Sequence, residues 1–421
     1  MAHIGNNLFL PDLHMGKKLP YGEHSRAYFY KNPLGKLPNE VKFCKKCVVS
    51  NQRPRIVFNE EDVCGACVWA GEKNNVVDWA QRKSEFYELL DKHRSKDGQF
   101  DVIVPCSGGK DSGSVAYKLK YEYGMHPLAV VWSPLLYTEI GFQNLQNMIS
   151  SGIPCHIFAP DRNIQRIISK LSLVLLGDHF MAFSRGMTSY PLHVALDLGV
   201  RLVMGGENGE LEYGGSLKNK DIPGQPIGDF VNLYYKGSKT EQIIQFGIEN
   251  DYLEKDNLDN AALKYYSPPR ADILVDAGVE FRWFGYYHKW VPQENFYYAT
   301  EHYGFRVNPE GHSESTYNKY ASLDDHTDPL HYYLSYIKFG IGRATSDAAH
   351  EIREGHLTRE EGVALVHRYD HILPSKYLSD YLRYLDMTEE EFWEVLDVFR
   401  EERPNLWEKV NRKWRLKYQV S

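Results

Sequence analysis

The chain has 421 residues, of which 43% are hydrophobic and 25% are charged, and it carries a formal net charge of −7 at pH 7. This length allows about two or three domains, and the acidic balance argues against a surface dominated by a nucleic-acid groove. No run of about 18 apolar residues occurs, and the amino terminus lacks the apolar core of a signal peptide. The sequence therefore predicts a cytoplasmic protein that binds neither membrane nor nucleic acid.

Two close pairs of cysteines follow an amino-terminal arm, residues 1–40, which shows no helical or strand periodicity. Each pair has C-x2-C spacing, and sixteen residues separate the pairs. Four thiolates in this pattern suit a tetrahedral zinc site without an open position, so the predicted role is structural. Disulfides are the alternative, which a cytoplasmic location disfavours. The module spans residues 41–76, and its ligands would be Cys44, Cys47, Cys64 and Cys67.

Beyond the cysteines, predicted helices and strands alternate. Apolar residues at helical spacing predict a connecting helix from Val77 to Arg94. The alternation that follows predicts an α/β fold, in which a parallel sheet carries helices on both faces and binds ligands at the carboxyl ends of its strands. We assign residues 77–285 to this domain, although residues 215–285 are rich in loop signals. Strands are predicted at residues 102–105, 128–132, 155–158 and 202–205, and helices at about 112–123, 139–151, 161–176 and 187–198.

The first predicted strand leads into the sequence SGGKDS and then into a helix. Glycines let backbone N–H groups approach an anion, and a helix begins with unpaired N–H groups and a positive dipole end. This order predicts a phosphate-binding loop; the alternative is a glycine-serine turn without a ligand. It is not a Walker A loop, because Asp111 separates Lys110 from Ser112. The residues of this loop that would contact phosphate are Ser107, Gly108, Gly109 and Ser112.

Two further groups of candidate residues follow predicted strands. Trp132 and Ser133 follow the second strand, where the sequence is equally compatible with nucleotide contact and with packing of Trp132. The fourth strand is followed by GGENGELEY, whose side-chain oxygens suit an Mg²⁺ ion bound to phosphates. A solvated polar turn is the alternative there. The candidates in this segment are Gly206, Glu207, Asn208, Glu212 and Tyr213.

The carboxy-terminal region, residues 286–421, is predicted to be mostly helical, and wholly so from about residue 329, and to bind substrate or a partner. Its aromatic start includes Tyr286 and His288, which could line a substrate mouth, although a lone histidine is more often structural. Arg343 would suit a phosphate or carboxylate, unless the glycines before it only break a helix. Capping-box spacing predicts two helix starts, at Thr358 and Thr388.

Several blocks of sequence, taken in order, resemble one family. They are the cysteine pairs CKKC and CGAC with RPRIVFNEEDVC between them, SGGKDS, PLLYTEIGFQNL, GGENGELEYGG, YNKYASLDD and KFGIGRATSDAAHEIR. On these blocks the chain after residue 40 resembles the N-acetyl sugar amidotransferases of the PP-loop ATP pyrophosphatase superfamily, which act in bacterial surface-polysaccharide and nonulosonic-acid pathways. The resemblance implies an adenine nucleotide alpha-hydrolase-like fold, ATP and Mg²⁺ beside the structural Zn²⁺, and adenine near Trp132 and Ser133.

The resemblance also implies a reaction. The N-acetyl (acetamido) group of a nucleotide-linked or free sugar would become acetamidino, through an O-adenylyl imidate that ammonia attacks, in lipopolysaccharide O-antigen or related glycan biosynthesis. ATP would yield AMP and pyrophosphate, and Asp111 with Glu207 would hold Mg²⁺. Lys110 occupies a variable position of the family pattern. The catalytic candidates are Asp111, Lys110, Glu207 and Arg343, and the substrate candidates are Asn208, Glu212, Tyr213, Tyr286, His288 and Tyr317.

Ammonia needs a source, and the sequence contains no recognisable glutaminase. The resemblance implies separate partners similar to the glutaminase and cyclase subunits of histidine biosynthesis. Two other functions are compatible with the sequence. A tRNA-thiolating PP-loop enzyme would need reactive cysteines, for which Cys106 and Cys155 are the available pair. A zinc-containing scaffold subunit without catalysis is the second alternative.

Overall fold

The computed structural model describes residues 9–13, 37–226, 240–253 and 263–421, so most of the predicted arm at residues 1–40 lies outside the described residues. The described part contains an α/β fold built on a five-stranded parallel sheet with strand order β3-β2-β1-β4-β5. This confirms the predicted α/β class with a parallel sheet. The strands are β1 Val102–Cys106, β2 Pro127–Trp132, β3 Cys155–Phe158, β4 Leu202–Gly205 and β5 Glu280–Trp283.

The central strands are apolar because helices cover both faces of the sheet. Along β1, Ile103 packs into one hydrophobic core, whereas Val102 and Val104 pack into the core on the other face. Strands β2 and β4 are buried along their whole length. Such continuous apolar runs are typical of parallel sheets and explain why the sequence located these strands.

The order of the strands determines where a ligand can bind. The chain leaves β1 towards β2 and β3 on one side and then returns to place β4 on the other side, where Val102 pairs with Leu202. This reversal opens a crevice at the carboxyl ends of β1 and β4. The loops that follow Cys106 and Gly205 therefore lie side by side.

Helices connect these strands and form the carboxy-terminal region. The predicted capping boxes at Thr358 and Thr388 are both confirmed. In each, the threonine hydroxyl accepts from the backbone N–H of the glutamate three residues later, and the carboxylate of that glutamate accepts from the threonine N–H. The helices are α1 Gly65–Asn75, α2 Trp79–His93, α3 Lys110–Tyr121, α4 Glu139–Ser150, α5 Arg162–Leu176, α6 Met181–Leu198, α7 Gly209–Glu212, α8 Thr240–Glu249, α9 Ala271–Asp276, α10 Phe284–Tyr287, α11 Pro292–Tyr303, α12 Asp328–Phe339, α13 Arg343–Arg353, α14 Arg359–Tyr369, α15 Leu378–Leu385 and α16 Glu389–Glu401.

Two strand features were missed by the sequence analysis. Strand β5 falls in the segment predicted as loop-rich; it is a four-residue edge strand with alternating burial, too short to stand out as a buried run. The tail is also not wholly helical, because β6 Trp407–Val410 and β7 Lys413–Leu416 form an antiparallel hairpin. Its turn residues, Asn411 and Arg412, both have positive φ, yet they lack the Asn-Gly pattern that normally signals such a turn.

No single helix in the described ranges is long and apolar enough to cross a membrane. Helices α5 and α6 pass the test of length and composition only when taken together, as a pair bent by 119°.

A buried ion cluster ties the cysteine module to the sheet and to the carboxy-terminal helices. Lys73 of α1 is 1% exposed, and its Nζ lies 3.4 Å from a Glu212 carboxylate oxygen and 2.6 Å from one of Glu354. Lys73 also donates to the Trp290 carbonyl at 3.0 Å. The cluster thus joins α1, α7 and the end of α13 through one cation.

We expect Lys73→Met to destabilise the protein by about 3–5 kcal/mol, because it leaves two buried carboxylates without their cation. The control is Lys45→Met, since Lys45 forms an exposed pair with Asp62 at 3.4 Å and such pairs contribute about 0–1 kcal/mol. Urea denaturation of both variants measures the difference. Equal stabilities would contradict the role assigned to the buried cluster.

Candidate functional site

The crevice between β1 and β4 opens into a cavity of about 740 Å³. Its walls come from the glycine loop after β1, the acidic segment after β4, the cysteine module, α6 and α12. The structure brings most of the predicted nucleotide and catalytic residues to this one cavity. Those that line it are Ser107, Gly109, Lys110, Asp111, Ser112, Gly206, Glu207 and Arg343, and the substrate candidate Tyr213 lines it as well.

The glycine loop has the shape of an anion-binding turn. Helix α3 begins at Lys110 directly after it, so the first-turn N–H groups have no partner within the helix. Gly108 has φ of 90°, and a Cβ there would lie 2.8 Å from the Leu145 backbone, so only glycine fits. The Gly109 N–H donates to Ser107 Oγ at 3.3 Å. The loop and the helix dipole together suit a phosphate group.

Acidic side chains surround the loop. Asp111 accepts a hydrogen bond from Asn295 at 3.0 Å and also pairs with Lys110. Burial and the nearby charge of Asp111 raise the pKa of Glu207 to about 7. Burial likewise raises the pKa of Asp324 to about 6, although a hydrogen bond with Ser107 opposes the shift. A divalent cation would relieve the repulsion within this acidic group.

The acidic residues fit an Mg²⁺ ion that is shared with phosphate oxygens. Among the described residues, the four cysteines are the one group of three or more possible ligands whose ligand atoms all lie within 4.8 Å of one another, so Asp111 and Glu207 do not form a complete protein cage. Mg²⁺ in nucleotide sites typically takes about one or two carboxylates and completes its shell with phosphates and water. The donor set is therefore suitable for Mg²⁺ bound together with a nucleotide.

The cysteine module supplies basic residues to the opposite wall. Arg53 lies over the Tyr213 ring at 4.6 Å, and Arg55 pairs with Glu210 at 3.0 Å. Both arginines line the cavity. On the carboxy-terminal side, the guanidinium of Arg343 lies over the Tyr332 ring at 4.3 Å.

Three of these cavity residues were not among the predicted site residues, namely Arg53, Arg55 and Asp324. All three lie in blocks that the sequence analysis singled out, RPRIVFNEEDVC and YNKYASLDD. Their positions depend on long-range packing that local spacing does not encode. The Val57 N–H, for example, donates to the Gly214 carbonyl at 2.8 Å and thereby fixes the arginine segment beside the acidic segment.

The residues expected near adenine do not line the cavity. Trp132 is 1% exposed and packs edge-on against Tyr266, with ring centroids 5.0 Å apart. A Cβ at Gly186 would lie 2.0 Å from the Trp132 ring, so α6 packs directly on the indole. Ser133 is buried, and its hydroxyl donates to the neighbouring Pro134 carbonyl at 3.4 Å. Packing, the alternative considered for Trp132, accounts for the position of the indole.

Three of the predicted substrate residues make contacts within the protein. Asn208 caps α7 by accepting from the Glu210 N–H at 3.1 Å, and Glu212 accepts from the Trp69 indole at 2.9 Å. The Tyr317 hydroxyl donates to Glu351 at 3.2 Å. None of Asn208, Glu212 and Tyr317 lines the cavity.

Tyr286 and His288 also lie away from the cavity, against α2. The Arg82 guanidinium lies 4.0 Å from the centre of the Tyr286 ring. His288 stacks on Phe284 at 4.1 Å between centroids and is hydrogen-bonded to the Tyr123 hydroxyl at 2.6 Å. This is the structural role that the sequence analysis kept open for the histidine.

The burial of His288 predicts a loss of stability in acid. Burial lowers its pKa to about 4, whereas an unfolded histidine titrates near about 6.5. Between these values the unfolded chain binds a proton that the folded chain does not, so the free energy of unfolding falls as the pH falls. We expect His288 to account for a loss of about 1–2 kcal/mol between about pH 7 and pH 5. Urea denaturation of His288→Gln should show a correspondingly flatter pH dependence, and an unchanged slope would contradict this.

The four cysteines form the second candidate site. The Sγ atoms of Cys44 and Cys67 are 3.8 Å apart, and those of Cys47 and Cys64 are 3.7 Å apart. Zinc–sulfur bonds of about 2.3 Å in a tetrahedron place sulfurs about 3.8 Å apart. The Cys64 N–H donates to the Cys44 sulfur at 3.3 Å, as suits a thiolate. The buried cluster can therefore hold a zinc ion, with all four positions occupied by protein.

A protein-family model matches the carboxy-terminal part of the chain. Residues 314–420 match a family model described as LPS biosynthesis protein WbpG-like, C-terminal domain. This part of the chain is similar to a lipopolysaccharide biosynthesis family. It contributes Tyr320, Asp324, Tyr332 and Arg343 to the cavity wall. A search of the curated proteins gave no match.

Proposed function

We propose that the protein is an ATP-dependent N-acetyl sugar amidotransferase of the PP-loop type, which converts an acetamido group into an acetamidino group during lipopolysaccharide O-antigen or related glycan biosynthesis. One observation carries the proposal. The glycine loop and its acidic partners share a single cavity with residues of the segment that matches a lipopolysaccharide biosynthesis family. The loop proposed to bind ATP and the segment similar to a lipopolysaccharide biosynthesis family thus lie at the same cavity.

The glycine loop end of the cavity suits ATP. Backbone N–H groups of the loop and of the first turn of α3 would bind the pyrophosphate part, and Ser107 and Ser112 would add hydroxyl donors. Asp111 and Glu207 would hold Mg²⁺, which supplies charge neutralisation for the departing pyrophosphate. Because Trp132 is enclosed in the core, we place the adenine against the cavity surface of α6 instead, near Met187 and Phe183.

The arginines that line the cavity suit the binding of the sugar. Arg343 and Arg53 present guanidinium groups beside Tyr332 and Tyr213, and this combination of cations and rings can bind a phosphorylated or otherwise acidic sugar derivative. The acetamido oxygen would then face the α-phosphorus of ATP. The amide oxygen attacks, pyrophosphate leaves, and the resulting O-adenylyl imidate carries AMP as its leaving group. Without adenylation the amide oxygen would not leave.

The thiolation alternative is weakened by the state of its two cysteines. Cys106 is buried, and burial raises the pKa of its thiol. Burial also raises the pKa of Cys155 to about 11. Sulfur transfer needs a thiolate near neutral pH, which these environments disfavour. Loss of activity in a Cys106→Ala, Cys155→Ala double variant, together with pyrophosphate exchange that depends on tRNA, would restore this alternative.

The ammonia source is proposed to be a separate glutaminase, with a cyclase-like partner of the kind found in histidine biosynthesis. The test is to compare glutamine with ammonium as the nitrogen donor for the purified chain. We expect ammonium to support turnover and glutamine to fail without a partner. Equal use of both donors would contradict the need for a partner.

The reaction itself is tested by incubating the protein with Mg-ATP, high ammonium and a panel of nucleotide-linked and free acetamido sugars, followed by mass spectrometry. We expect one sugar to lose an oxygen and gain an NH group, with one AMP formed for each product. ATP-to-AMP turnover without any modified sugar would contradict the amidotransferase proposal. The absence of AMP with every substrate would favour the scaffold alternative.

A further inference from the structure

A histidine and an aspartate form a hydrogen-bonded pair on the cavity wall, and neither was among the predicted site residues. His331 lies in the first turns of α12, and its Nδ1 donates to Asp178 Oδ1 at 2.7 Å. The Asp178 side chain is 4% exposed, whereas that of His331 is 22% exposed. Both residues line the cavity that contains the glycine loop.

The local structure fixes the orientation of this pair. Asp178 follows the end of α5, where Gly177 adopts φ of 63° and lets the chain turn sharply. Its carboxylate oxygen also accepts from the Phe180 N–H at 3.2 Å. The imidazole of His331 packs on the Phe180 ring, with centroids 5.0 Å apart. The aspartate and its loop therefore hold the imidazole from one side.

This geometry determines which histidine nitrogen can act in the cavity. A carboxylate at Nδ1 keeps the proton on that nitrogen, so Nε2 remains an acceptor. Asp178 would in turn stabilise the positive charge that appears when Nε2 takes up a proton. Charged residues near the pair include Asp328, one turn earlier on α12, and Lys338, whose Nζ donates to the Leu176 carbonyl at 3.0 Å. The arrangement is that of an oriented general base.

We propose that His331 is the catalytic base for the attack of ammonia and that Asp178 is its positioning residue. This inference rests on the proposed function. Ammonia forms a bond to the imidate carbon, and the carbon–oxygen bond to AMP breaks with its electron pair leaving on the phosphate. Nε2 of His331 accepts one proton from the attacking nitrogen and returns it to the sugar nitrogen. The products are an amidinium and AMP, and no proton is gained or lost in this step.

The pair is needed only for the second half of the reaction, the attack of ammonia, and not for adenylation. Adenylation takes place at the glycine loop and does not require a base for ammonia. A variant without the imidazole should therefore still release pyrophosphate in a single turnover but transfer nitrogen slowly. The stranded imidate would then be hydrolysed to the starting acetamide, so that AMP forms without amidine.

The experiment measures pyrophosphate, AMP and amidine separately for His331→Ala, Asp178→Asn and a control, His302→Ala, which replaces an exposed histidine of α11. We expect the ratio of amidine to AMP to fall by about 10²-fold for His331→Ala, the size typical of general-base catalysis. Asp178→Asn should lower the ratio of amidine to AMP by a smaller factor. Added imidazole should partly restore this ratio for His331→Ala but not for Asp178→Asn. The control should match the wild type.

Two outcomes would overturn the inference. An unchanged amidine-to-AMP ratio in a folded His331→Ala variant would show that the base is elsewhere. Equal loss of pyrophosphate release and amidine formation, without rescue by imidazole, would show that the pair only holds α12 in place. Failure of the proposed function is a different result, because the wild-type protein would then form no amidine from any sugar.

Discussion

Asp111→Ala is expected to reduce pyrophosphate release by about 10²–10³-fold or more while the protein stays folded, a loss comparable to removing one strong transition-state contact. Asp111 lies in the first turn of α3, lines the cavity and is held by Asn295 and Lys110. Its removal takes away a proposed Mg²⁺ ligand and leaves Lys110 without its partner. Pyrophosphate release under saturating Mg-ATP and sugar measures the effect.

The matched control for this variant is Asp272→Ala, which removes an exposed carboxylate that pairs with Arg270 on the surface. It should behave like the wild type. Asn295→Ala offers a graded test, because it removes only the amide that orients Asp111 at 3.0 Å. Wild-type rates in Asp111→Ala at low Mg²⁺ concentration would contradict the assignment of this residue to the metal.

Cys64→Ser is expected to abolish stoichiometric zinc binding and to lower the melting temperature by on the order of 5–10 °C. The cluster consists of four sulfurs, which all lie within 4.8 Å of one another. A tetrahedral zinc ion would use all four, so the loss of one leaves its coordination incomplete. The module also fixes the site, because the segment after Cys47 carries Arg53 and Arg55 into the cavity. Loss of zinc should therefore reduce activity as well as stability.

Zinc content and thermal unfolding of Cys64→Ser should be compared with those of Cys155→Ser, which alters a cysteine outside the cluster. The control should keep its zinc and most of its activity. Full zinc content in Cys64→Ser, or full activity of protein freed of zinc by a chelator, would contradict a structural zinc that shapes the cavity.

The parts of the molecule that the sequence predicted well are those in which local pattern and tertiary role coincide. The apolar runs of β1, β2 and β4 are continuous because these strands are buried on both faces. The cysteine spacing also predicted a compact four-sulfur cluster, because two short pairs need only one approach of the chain to form it.

Residues brought in over long distances in the chain were not predictable in this way. Arg53 reaches the cavity because the cysteine module packs on the segment after β4, and His331 reaches it because α12 packs against the end of α5. Trp132, in contrast, was predicted to lie near the ligand but is buried in the core. It stands at the end of a central strand, where a ligand contact was plausible, but the close approach of Gly186 encloses it. Strand ends indicated the region of the site, and packing decided which side chains face it.

In the proposed reaction, the oxygen of a sugar acetamido group attacks ATP in this cavity. The most direct measurement uses a substrate whose acetamido oxygen is labelled with oxygen-18, incubated with the protein, Mg-ATP and ammonium. We expect AMP to carry the label, because the amide oxygen leaves the sugar on the AMP phosphate, and we expect the amidine product to contain none. Unlabelled AMP, formed while the sugar keeps its labelled oxygen, would show that water or another group attacks ATP and that the acetamido oxygen does not.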